Sequence, residues 1–454
     1  MTRVHLFLGT ALLLAGCNMA PHYERPAPPV PPTLPTGEAY APQADAKAGL
    51  PWTGLVQDAK LKTVIERALA NNRDLRAALA NVQSARAQYK VQRAAQLPTI
   101  TADAAASFTR QNDARQNSYS ADLGFSAFEI DLFGRVRNLT ESALQSYLAT
   151  EEGARSTRIT LIAETATAYA TLAADQELLA VSRQTQESAQ RTLDLTRSLN
   201  AAGLAGKLDV HQAETTVEQA ASDVAANITQ VAQDRNALDL LVGAPVEEAL
   251  LPASLDELLA GVATVPAGLS SDILLQRPDV LQAEHQLKAT NADIGAARAA
   301  MFPTISLTSA IGVASSALSA LFKGGAFAWS ASPSASLPIF GGPNRGNLDY
   351  SKAQRDLYLA QYEKAVQTAF QEVADGLARA GTINAQQAAQ QRLVTASSRA
   401  YDLADQRYRA GVDTFLNALT SQRTLYGARQ SAIATDLASV SNRILLYRVI
   451  GADQ

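Results

Sequence analysis

Few residues in this 454-residue sequence have the types and spacing that catalysis, metal binding or phosphate binding requires. Gly206-Lys207 is the best candidate for a phosphate-binding loop, in which backbone N–H groups surround phosphates and a lysine neutralises them. The motif is incomplete, because Ala201 stands where its first glycine belongs and Leu208 replaces the Ser or Thr that binds Mg²⁺. The chain has one cysteine and four scattered histidines, so neither a catalytic triad nor a metal site is indicated. The sequence therefore predicts no enzyme, no metal ion and no cofactor.

The single cysteine stands where a thiol can be acylated. Arg3 precedes an apolar run, and Leu14-Ala15-Gly16-Cys17 resembles the lipobox of bacterial lipoproteins. We therefore expect residues 1–16 to be a signal peptide and Cys17 to carry N-palmitoyl and S-diacylglycerol groups, whose combined acyl chains give a stable anchor. Asn18, in place of Asp, is similar to the pattern that sorts lipoproteins to the outer membrane. The alternative is an ordinary signal peptide followed by an incidental cysteine.

The segment that follows, residues 17–55, is rich in proline. It holds nine of the chain's 18 prolines. These prolines lie within residues 18–51, and because proline has a fixed φ and no N–H group, that stretch cannot form a helix or an internal strand. We predict an extended tether between the lipid and the first helix, and the sequence leaves open whether this tether lies on the protein.

Composition limits both the partners and the fold. The net charge is −4 and the pI is about 5.7, so no basic surface indicates binding to nucleic acid. Charged residues make up only 18% of the chain and alanine is abundant. Because small side chains let helix backbones approach closely, this composition favours long helices packed side by side. Acidic residues on such helices are expected to be solvated.

The chain is predicted to be an internal duplication. Seven short matches recur in the same order, with an offset that drifts only from about 205 to about 208 residues. Leu97-Pro98-Thr99-Ile100 matches Phe302-Pro303-Thr304-Ile305, and Leu132-Phe133-Gly134 matches Ile339-Phe340-Gly341. We therefore divide the chain into a first repeat at 56–250 and a second repeat at 251–454, the latter beginning with a linker.

Each repeat shows the same succession of periods. Apolar residues recur at helical spacing from Leu61 to Gln96, which predicts one uninterrupted helix up to Pro98. Apolar and polar residues then alternate, which predicts β-hairpins at 99–130 (with a loop at Arg110–Asn117) and at 304–338. Very long helices follow at about 136–202 and 348–410, each roughly 100 Å at 1.5 Å per residue. Each ends at a glycine, beyond which another helix returns.

The strands have the length and period of transmembrane β-strands, with small polar residues on one face. The alternative is a soluble sheet packed on helices. One chain supplies four strands, which cannot close a barrel, and open edges cannot face lipid because unpaired backbone groups cost several kcal/mol each there. A spanning sheet therefore requires an oligomer: two chains give eight strands, and three give twelve with a bore.

The chain resembles the TolC-like outer membrane factors, and most closely the OprM/NodT lipoprotein branch that serves resistance-nodulation-division (RND) efflux pumps. The segments that carry the resemblance are spread over the mature chain: 69–76, 128–135, 274–280, 295–303, 336–340 and 407–412. It implies a mainly α fold with transmembrane β, in which a trimeric 12-stranded barrel in the outer membrane continues as a long periplasmic α-helical barrel. It also implies a passive exit duct for small molecules such as drugs, served by a periplasmic adaptor and an inner-membrane RND transporter.

The resemblance also implies functional roles for the two helix–helix turns, at 203–208 and 411–416. Adaptor docking would fall on two sets of residues, Gly203, Leu204, Ala205, Gly206 and Lys207 in the first turn and Gly411, Val412, Asp413, Thr414 and Phe415 in the second. Asp413 and Asp209 are candidates for a ring of carboxylates that closes the periplasmic end. The alternatives are plain turns and solvated acidic residues. The two turns differ in sequence, since Gly206-Lys207 of the first stands where Thr414-Phe415 stands in the second.

Two other functions fit the same pattern. A type I secretion duct has the same fold and carries protein, and a structural coiled-coil lipoprotein would have no pore.

Gly203 and Gly411 are expected to have positive φ, because helix C-caps often require it.

Overall fold

The computed structural model describes residues 18–40, 51–111, 114–263 and 271–450. The predicted signal peptide and Cys17 lie outside the described residues. The helices are α1 Trp52–Leu55, α2 Ala59–Asn71, α3 Arg73–Ala94, α4 Arg135–Ala201, α5 Lys207–Val242, α6 Leu255–Gly261, α7 Pro278–Ala299, α8 Asn344–Arg409 and α9 Phe415–Ile450. The strands are β1 Thr101–Gln111, β2 Ala114–Ile130, β3 Thr304–Ser315 and β4 Phe327–Ser336. Short 3₁₀ turns lie at Glu248–Leu250, Ser271–Gln276 and Leu318–Ala320.

Corresponding helices of the two repeats have nearly equal lengths. α3 and α7 have 22 residues each, α4 and α8 have 67 and 66, and α5 and α9 have 36 each. Each long helix precedes a 36-residue return helix, in the order that the sequence predicts. The tandem-repeat architecture is confirmed.

None of the helices in the described part of the chain is both long enough and apolar enough to cross a membrane.

The chain forms two compact units. The first comprises the N-terminal residues up to Ala27 together with Ala80–Glu152 and Leu281–Ala365. The second comprises Pro28–Leu79, Gly153–Val280 and the C-terminal part from Val366.

The first unit contains one antiparallel sheet with the order β1-β2-β3-β4, so that β1 and β4 are its two edges. Residues directly opposite each other share a face of the sheet. Ala104 lies opposite Ala121, Ala121 opposite Val313, and Val313 opposite Phe327. Apolar residues of all four strands therefore lie on one face, and Ser, Thr and Gly predominate on the other, as the alternation predicts.

A β-bulge in β2 maintains this separation of faces. Between Phe125 and Phe128 the register shifts against β3, and Ala127 has a φ of 51°. The extra residue places Phe128 opposite Leu307, on the same face as Phe125. Without the bulge, Phe128 would point to the polar face.

The second unit is built around a hydrophobic cluster to which helices of both repeats contribute. Ile65 of α2, Leu172 of α4, Leu255 of α6 and Ile444 of α9 are buried in it. Tyr169 is buried there too, and its hydroxyl donates to the carbonyl of Leu250 at 2.9 Å. Burial of each large aliphatic side chain contributes about 1.5–3 kcal/mol, so the cluster fixes how these helices pack.

Two predicted features of the first repeat are wrong. The helix predicted from Leu61 to Gln96 is broken at Asn72, a buried residue whose Oδ1 accepts from the Leu75 N–H at 2.9 Å and whose amide donates to the Leu241 carbonyl at 2.9 Å. The side chain thus caps α3 and ties it to α5. The loop predicted at Arg110–Asn117 is mostly strand, since Arg110 pairs with Arg115 and the ladder continues to the last described pair.

Candidate functional site

The first helix–helix turn ends α4 with a Schellman motif. Gly203 has a φ of 76°, its N–H donates to the Asn200 carbonyl at 2.9 Å, and the Leu204 N–H donates to the Leu199 carbonyl at 2.8 Å. The Asn200 side chain donates to the Ala205 carbonyl at 2.7 Å and closes the turn. Glycine is required at 203 because a Cβ is strained at this φ.

The second turn repeats the motif at the end of α8. Gly411 has a φ of 70°, its N–H donates to the Tyr408 carbonyl at 3.0 Å, and the Val412 N–H donates to the Arg407 carbonyl at 2.9 Å. The positive φ predicted for both glycines is confirmed.

The two turns present similar apolar side chains. Leu204 and Leu208 of the first and Val412 and Leu416 of the second are all more than half exposed. Phe415 differs, because it is only 3% exposed and packs on Tyr408 with ring centroids 5.6 Å apart. Of the residues predicted to dock an adaptor, Phe415 is therefore a core residue in this structure, and the exposed surface is formed by its neighbours.

The two candidate aperture residues have partners within their own turns. Asp209 Oδ2 accepts from the Gly206 N–H at 3.1 Å and so caps α5. Asp413 accepts from the Asn417 amide at 2.6 Å, from the Thr414 N–H at 2.8 Å and from Arg407 Nε at 3.1 Å. The hydrogen bonds from these three donors lower the pKa of Asp413, and the bond from Asn417 has the largest effect. The carboxyl group of Asp413 is therefore ionised at neutral pH.

The N-terminal segment lies on α7 of the first unit. The Pro21 carbonyl accepts from the Asn291 amide at 2.8 Å, and the Met19 carbonyl accepts from Arg298 Nη1 at 3.2 Å. At Gly295 a Cβ would stand 2.7 Å from the backbone N and Cα of Ala20. The tether is therefore packed on the protein at Met19, Ala20 and Pro21, which answers for these residues the question that the sequence left open.

Glu284 of α7 holds the next part of this segment. Its buried carboxylate accepts from Arg25 at 3.1 and 2.6 Å, from the Tyr23 hydroxyl at 3.3 Å and from Lys288 at 2.9 Å. Burial alone raises the pKa of Glu284, but the bonds from Arg25 and Lys288 outweigh burial and bring the pKa below its ordinary value. A depressed folded pKa means that the carboxylate stabilises the docked segment above the unfolded pKa of about 4.3. This contribution is lost as the pH falls through the folded pKa.

Acidic residues are also less uniformly solvated than the sequence suggests. Glu372 of α8, predicted to be on a solvated face, accepts from Arg277 at 2.7 Å and from Arg448 at 3.1 Å. Arg277 also binds Asp279 through two hydrogen bonds at 3.0 and 2.7 Å and donates to the Val449 carbonyl at 2.9 Å.

Over the described residues, no group of three or more His, Cys, Asp or Glu residues could hold a metal ion.

Comparison with known proteins places these features in a family. The family model described as outer membrane efflux protein matches residues 64–244 and 269–452. The chain belongs to the outer membrane efflux protein family.

Individual members of the outer membrane efflux protein family align along nearly the whole chain. The antibiotic efflux pump outer membrane protein ArpC of Pseudomonas putida is 45% identical over 465 residues, which covers 99% of this chain and 96% of the relative. The toluene efflux pump outer membrane protein TtgC, also of Pseudomonas putida, has the same identity and coverage. The open state of the MtrE outer membrane channel of Neisseria gonorrhoeae is 35% identical, with a TM-score of 0.85 over 96% of this chain and 98% of that one.

The predicted class of protein is thereby confirmed. The chain is an outer membrane efflux protein with the TolC-like tandem-repeat fold, located in the outer membrane and extending into the periplasm. The two relatives are named as efflux pump outer membrane proteins, and the MtrE structure is described as an outer membrane channel.

Sequence reasoning missed a set of polar contacts between the long helices of this outer membrane efflux protein. The hydroxyl groups of Thr196 and Tyr408 lie 2.9 Å apart in a buried position near the turns. Further along the helices, two more hydroxyl pairs are 2.7 Å and 3.0 Å apart, Ser188 with Tyr401 and Ser182 with Tyr426. Tyrosines at helical spacing were the available signal for these contacts. Their spacing does not indicate which Ser or Thr of the neighbouring helix lies opposite each tyrosine.

Proposed function

We propose that three copies of this protein form one passive exit duct without catalytic activity. The observation that carries this proposal is the four-stranded sheet, in which the edge strands β1 and β4 pair on one side only within the described part of the chain. Such edges are unfavourable in lipid, because unpaired backbone groups cannot find water there. Three sheets joined edge to edge give twelve strands, which leave a bore.

The cargo is proposed to be small, mostly apolar molecules. The relatives are named for the efflux of antibiotics and of toluene, and a wide bore lined by small polar residues needs no specific binding site for either. An inner-membrane RND transporter would supply the energy, and a periplasmic adaptor would connect it to the duct. We also propose that the chain divides into two repeats, at residues 56–250 and 251–454.

The native mass of the protein in detergent tests whether three copies assemble. We expect the mass of three chains together with conductance in planar bilayers. A monomer without conductance would refute the duct.

The two turns are the proposed adaptor-docking surfaces. Exposed Leu204 and Val412 occupy equivalent places, each directly after the glycine of its Schellman motif. Matching apolar groups at both turns would let an adaptor contact the two repeats in the same way. Asp413 and Asp209 remain proposals for the closed aperture, since both are held in defined positions beside these turns.

Placing a charge at either turn is expected to weaken adaptor binding. In Leu204→Asp and Val412→Asp an unpaired carboxylate would be buried at the interface, which costs enough for a roughly tenfold or greater loss of affinity. Pull-down of the adaptor, together with drug susceptibility of cells that depend on this duct, measures the effect. Leu240→Asp, at an exposed leucine of α5 away from the turns, is the matched control and should leave binding unchanged. Full adaptor binding by the Leu204→Asp/Val412→Asp double variant would exclude docking at the turns.

Cys17 is the proposed site of the lipid anchor. Met19 and Ala20 are the first described residues of the segment that contact α7, so acyl chains on Cys17 would lie only two residues before the docked part of the chain. We expect Cys17→Ala to abolish metabolic labelling with palmitate. Labelling that persisted in this variant would show that another group is acylated.

A further inference from the structure

Over the described strands, the apolar face of the sheet carries charged residues at one place only. Every other residue on this face is uncharged, and the two exceptions are Arg110 of β1 and Arg115 of β2. They lie directly opposite each other in the ladder, and both are exposed. Like charges at directly opposite positions repel each other, because their Cβ atoms are only about 4.5–5.5 Å apart. An anion bound between the two guanidinium groups would remove this repulsion.

The two arginines lie at the end of the sheet that is away from the helices. α3 leads into β1, β2 into α4, α7 into β3 and β4 into α8, so all four helices join the sheet at one end. Both hairpins turn at the other end. The protein extends from the outer membrane into the periplasm, and its long helices form the periplasmic part. The hairpin ends, with the two arginines, therefore face the exterior of the cell.

The position of Arg115 along β2 corresponds to the outer boundary of a membrane. Phe128 lies on the same face near the helix end of β2, and Arg115 lies 13 positions before it. At about 3.4 Å per residue and a strand tilt of about 40°, this stretch rises roughly 30 Å once the bulged residue is discounted. The hydrocarbon core of a bilayer has about this thickness. With Phe128 at the inner boundary, Arg115 therefore reaches the lipid headgroups of the outer leaflet.

Aromatic side chains mark the same boundary. The rings of Phe108 and Tyr119 meet edge to face, with their centroids 5.7 Å apart. Both residues share the face of the two arginines, and Phe108 is two residues before Arg110 in β1. Transmembrane β-barrels carry such aromatic side chains where hydrocarbon meets the headgroups. Arg110 and Arg115 therefore lie just beyond the aromatic level, at the depth of the headgroups.

We propose that Arg110 and Arg115 form a binding site for the phosphate groups of lipopolysaccharide. The outer leaflet of the outer membrane consists largely of this lipid, and its lipid A headgroup carries phosphates. Arginine suits this ligand, because its planar guanidinium group donates two parallel hydrogen bonds to one phosphate. The apolar residues of the same face would contact the acyl chains of the same lipid. The proposal rests on the membrane-spanning sheet proposed above and assigns a lipid ligand to its outer end.

Native mass spectrometry of the detergent-solubilised protein with added lipid measures this binding. The two probes are diphosphoryl lipid A and lipid A from which both phosphates have been removed. We expect the unaltered protein to bind the diphosphoryl form about tenfold or more tightly than the other, because charge-assisted hydrogen bonds to phosphate are strong. Inorganic phosphate in large excess should not displace the bound lipid, since it lacks the acyl chains.

Substitutions test the two side chains. Arg110→Gln/Arg115→Gln should lose most of the preference for diphosphoryl lipid A, with a roughly tenfold loss of affinity for that form. Arg115→Lys keeps the charge without the forked geometry, so its affinity should fall between those of the unaltered protein and the double variant. Arg392→Gln removes an exposed arginine of α8, away from the sheet, and is the matched control. It should leave the preference unchanged.

The outcomes separate the lipid site from the duct. Equal binding of the two lipids by an unaltered protein that is a conducting trimer would overturn the phosphate site and leave the duct intact. This comparison needs no substitution, so it holds even if a variant fails to fold. An undiminished preference in the double variant would overturn the assignment to these arginines, and displacement by inorganic phosphate would overturn the lipid as the ligand. A monomer without conductance would overturn both the site and the duct.

Discussion

Replacing Arg277 with alanine is expected to destabilise the second unit by about 3 kcal/mol or more, the range found when one partner of a buried ion pair is removed. Arg277 is buried and makes four hydrogen bonds, to Asp279, Glu372 and the Val449 carbonyl. Burial lowers its pKa, but Asp279 and Glu372 more than offset this and keep the pKa above its ordinary value. In the variant Glu372 retains only Arg448, and the Val449 carbonyl loses its donor.

The midpoint of thermal unfolding of the detergent-solubilised protein measures this loss. Arg277→Lys keeps the charge without the forked geometry and should fall between the wild type and Arg277→Ala. Arg235→Ala removes an exposed pair with Glu248 and should cost less than about 1 kcal/mol. Equal losses for Arg277→Ala and Arg235→Ala would refute the role given to the buried cluster.

Replacing Gly295 with leucine is expected to displace the N-terminal segment from α7. A Cβ at this position would lie 2.7 Å from the backbone of Ala20 and from the Asn138 amide nitrogen, so the segment must move. Overpacking of this kind costs about 1–3 kcal/mol. That cost raises the fraction of detached segment by about five- to 150-fold.

Chymotrypsin cleavage after Tyr23 measures detachment, because Tyr23 is held by Glu284 in the docked segment. Gly346→Leu is the matched control, since a Cβ at Gly346 meets nothing within 4 Å. It should leave cleavage at the wild-type rate. An unchanged rate in Gly295→Leu would mean that the segment does not depend on the close approach at Gly295.

The architecture was predictable because its determinants are local. Pro98 and Pro303 mark where helix gives way to strand, and the glycines of the two turns mark the ends of the long helices within a few residues. Alternation of apolar and polar residues gave the faces of the sheet correctly. The duplication supplied a second instance of each hairpin and of the helices that flank it.

The features that the sequence did not reveal depend on partners distant in the chain. The break at Asn72 needs the Leu241 carbonyl, which a local pattern does not contain. The predicted loop at Arg110–Asn117 was wrong because polar residues are tolerated in an exposed hairpin as long as the ladder continues. Glu372 was predicted to be a solvated residue of a long helix, and only its arginine partners, far apart in sequence, show otherwise.

The candidate site was predictable to a lesser degree. The positions of both turns followed from glycine, but the burial of Phe415 did not, because Thr414-Phe415 looks like an exposed part of the turn until Tyr408 is brought beside it. The in-chain partners of Asp413 were likewise invisible, since a carboxylate beside a turn has the same local sequence whether it caps a helix or faces an aperture.

The docking of the N-terminal segment has a consequence for the order of events in biogenesis. Its described hydrogen bonds with α7 of the second repeat join residues separated by 259 to 279 positions. The first part of the chain to be synthesised therefore has no docking site until more than half of the protein has been made. A modifying enzyme can thus act at Cys17 before the surface that will hold the neighbouring residues exists.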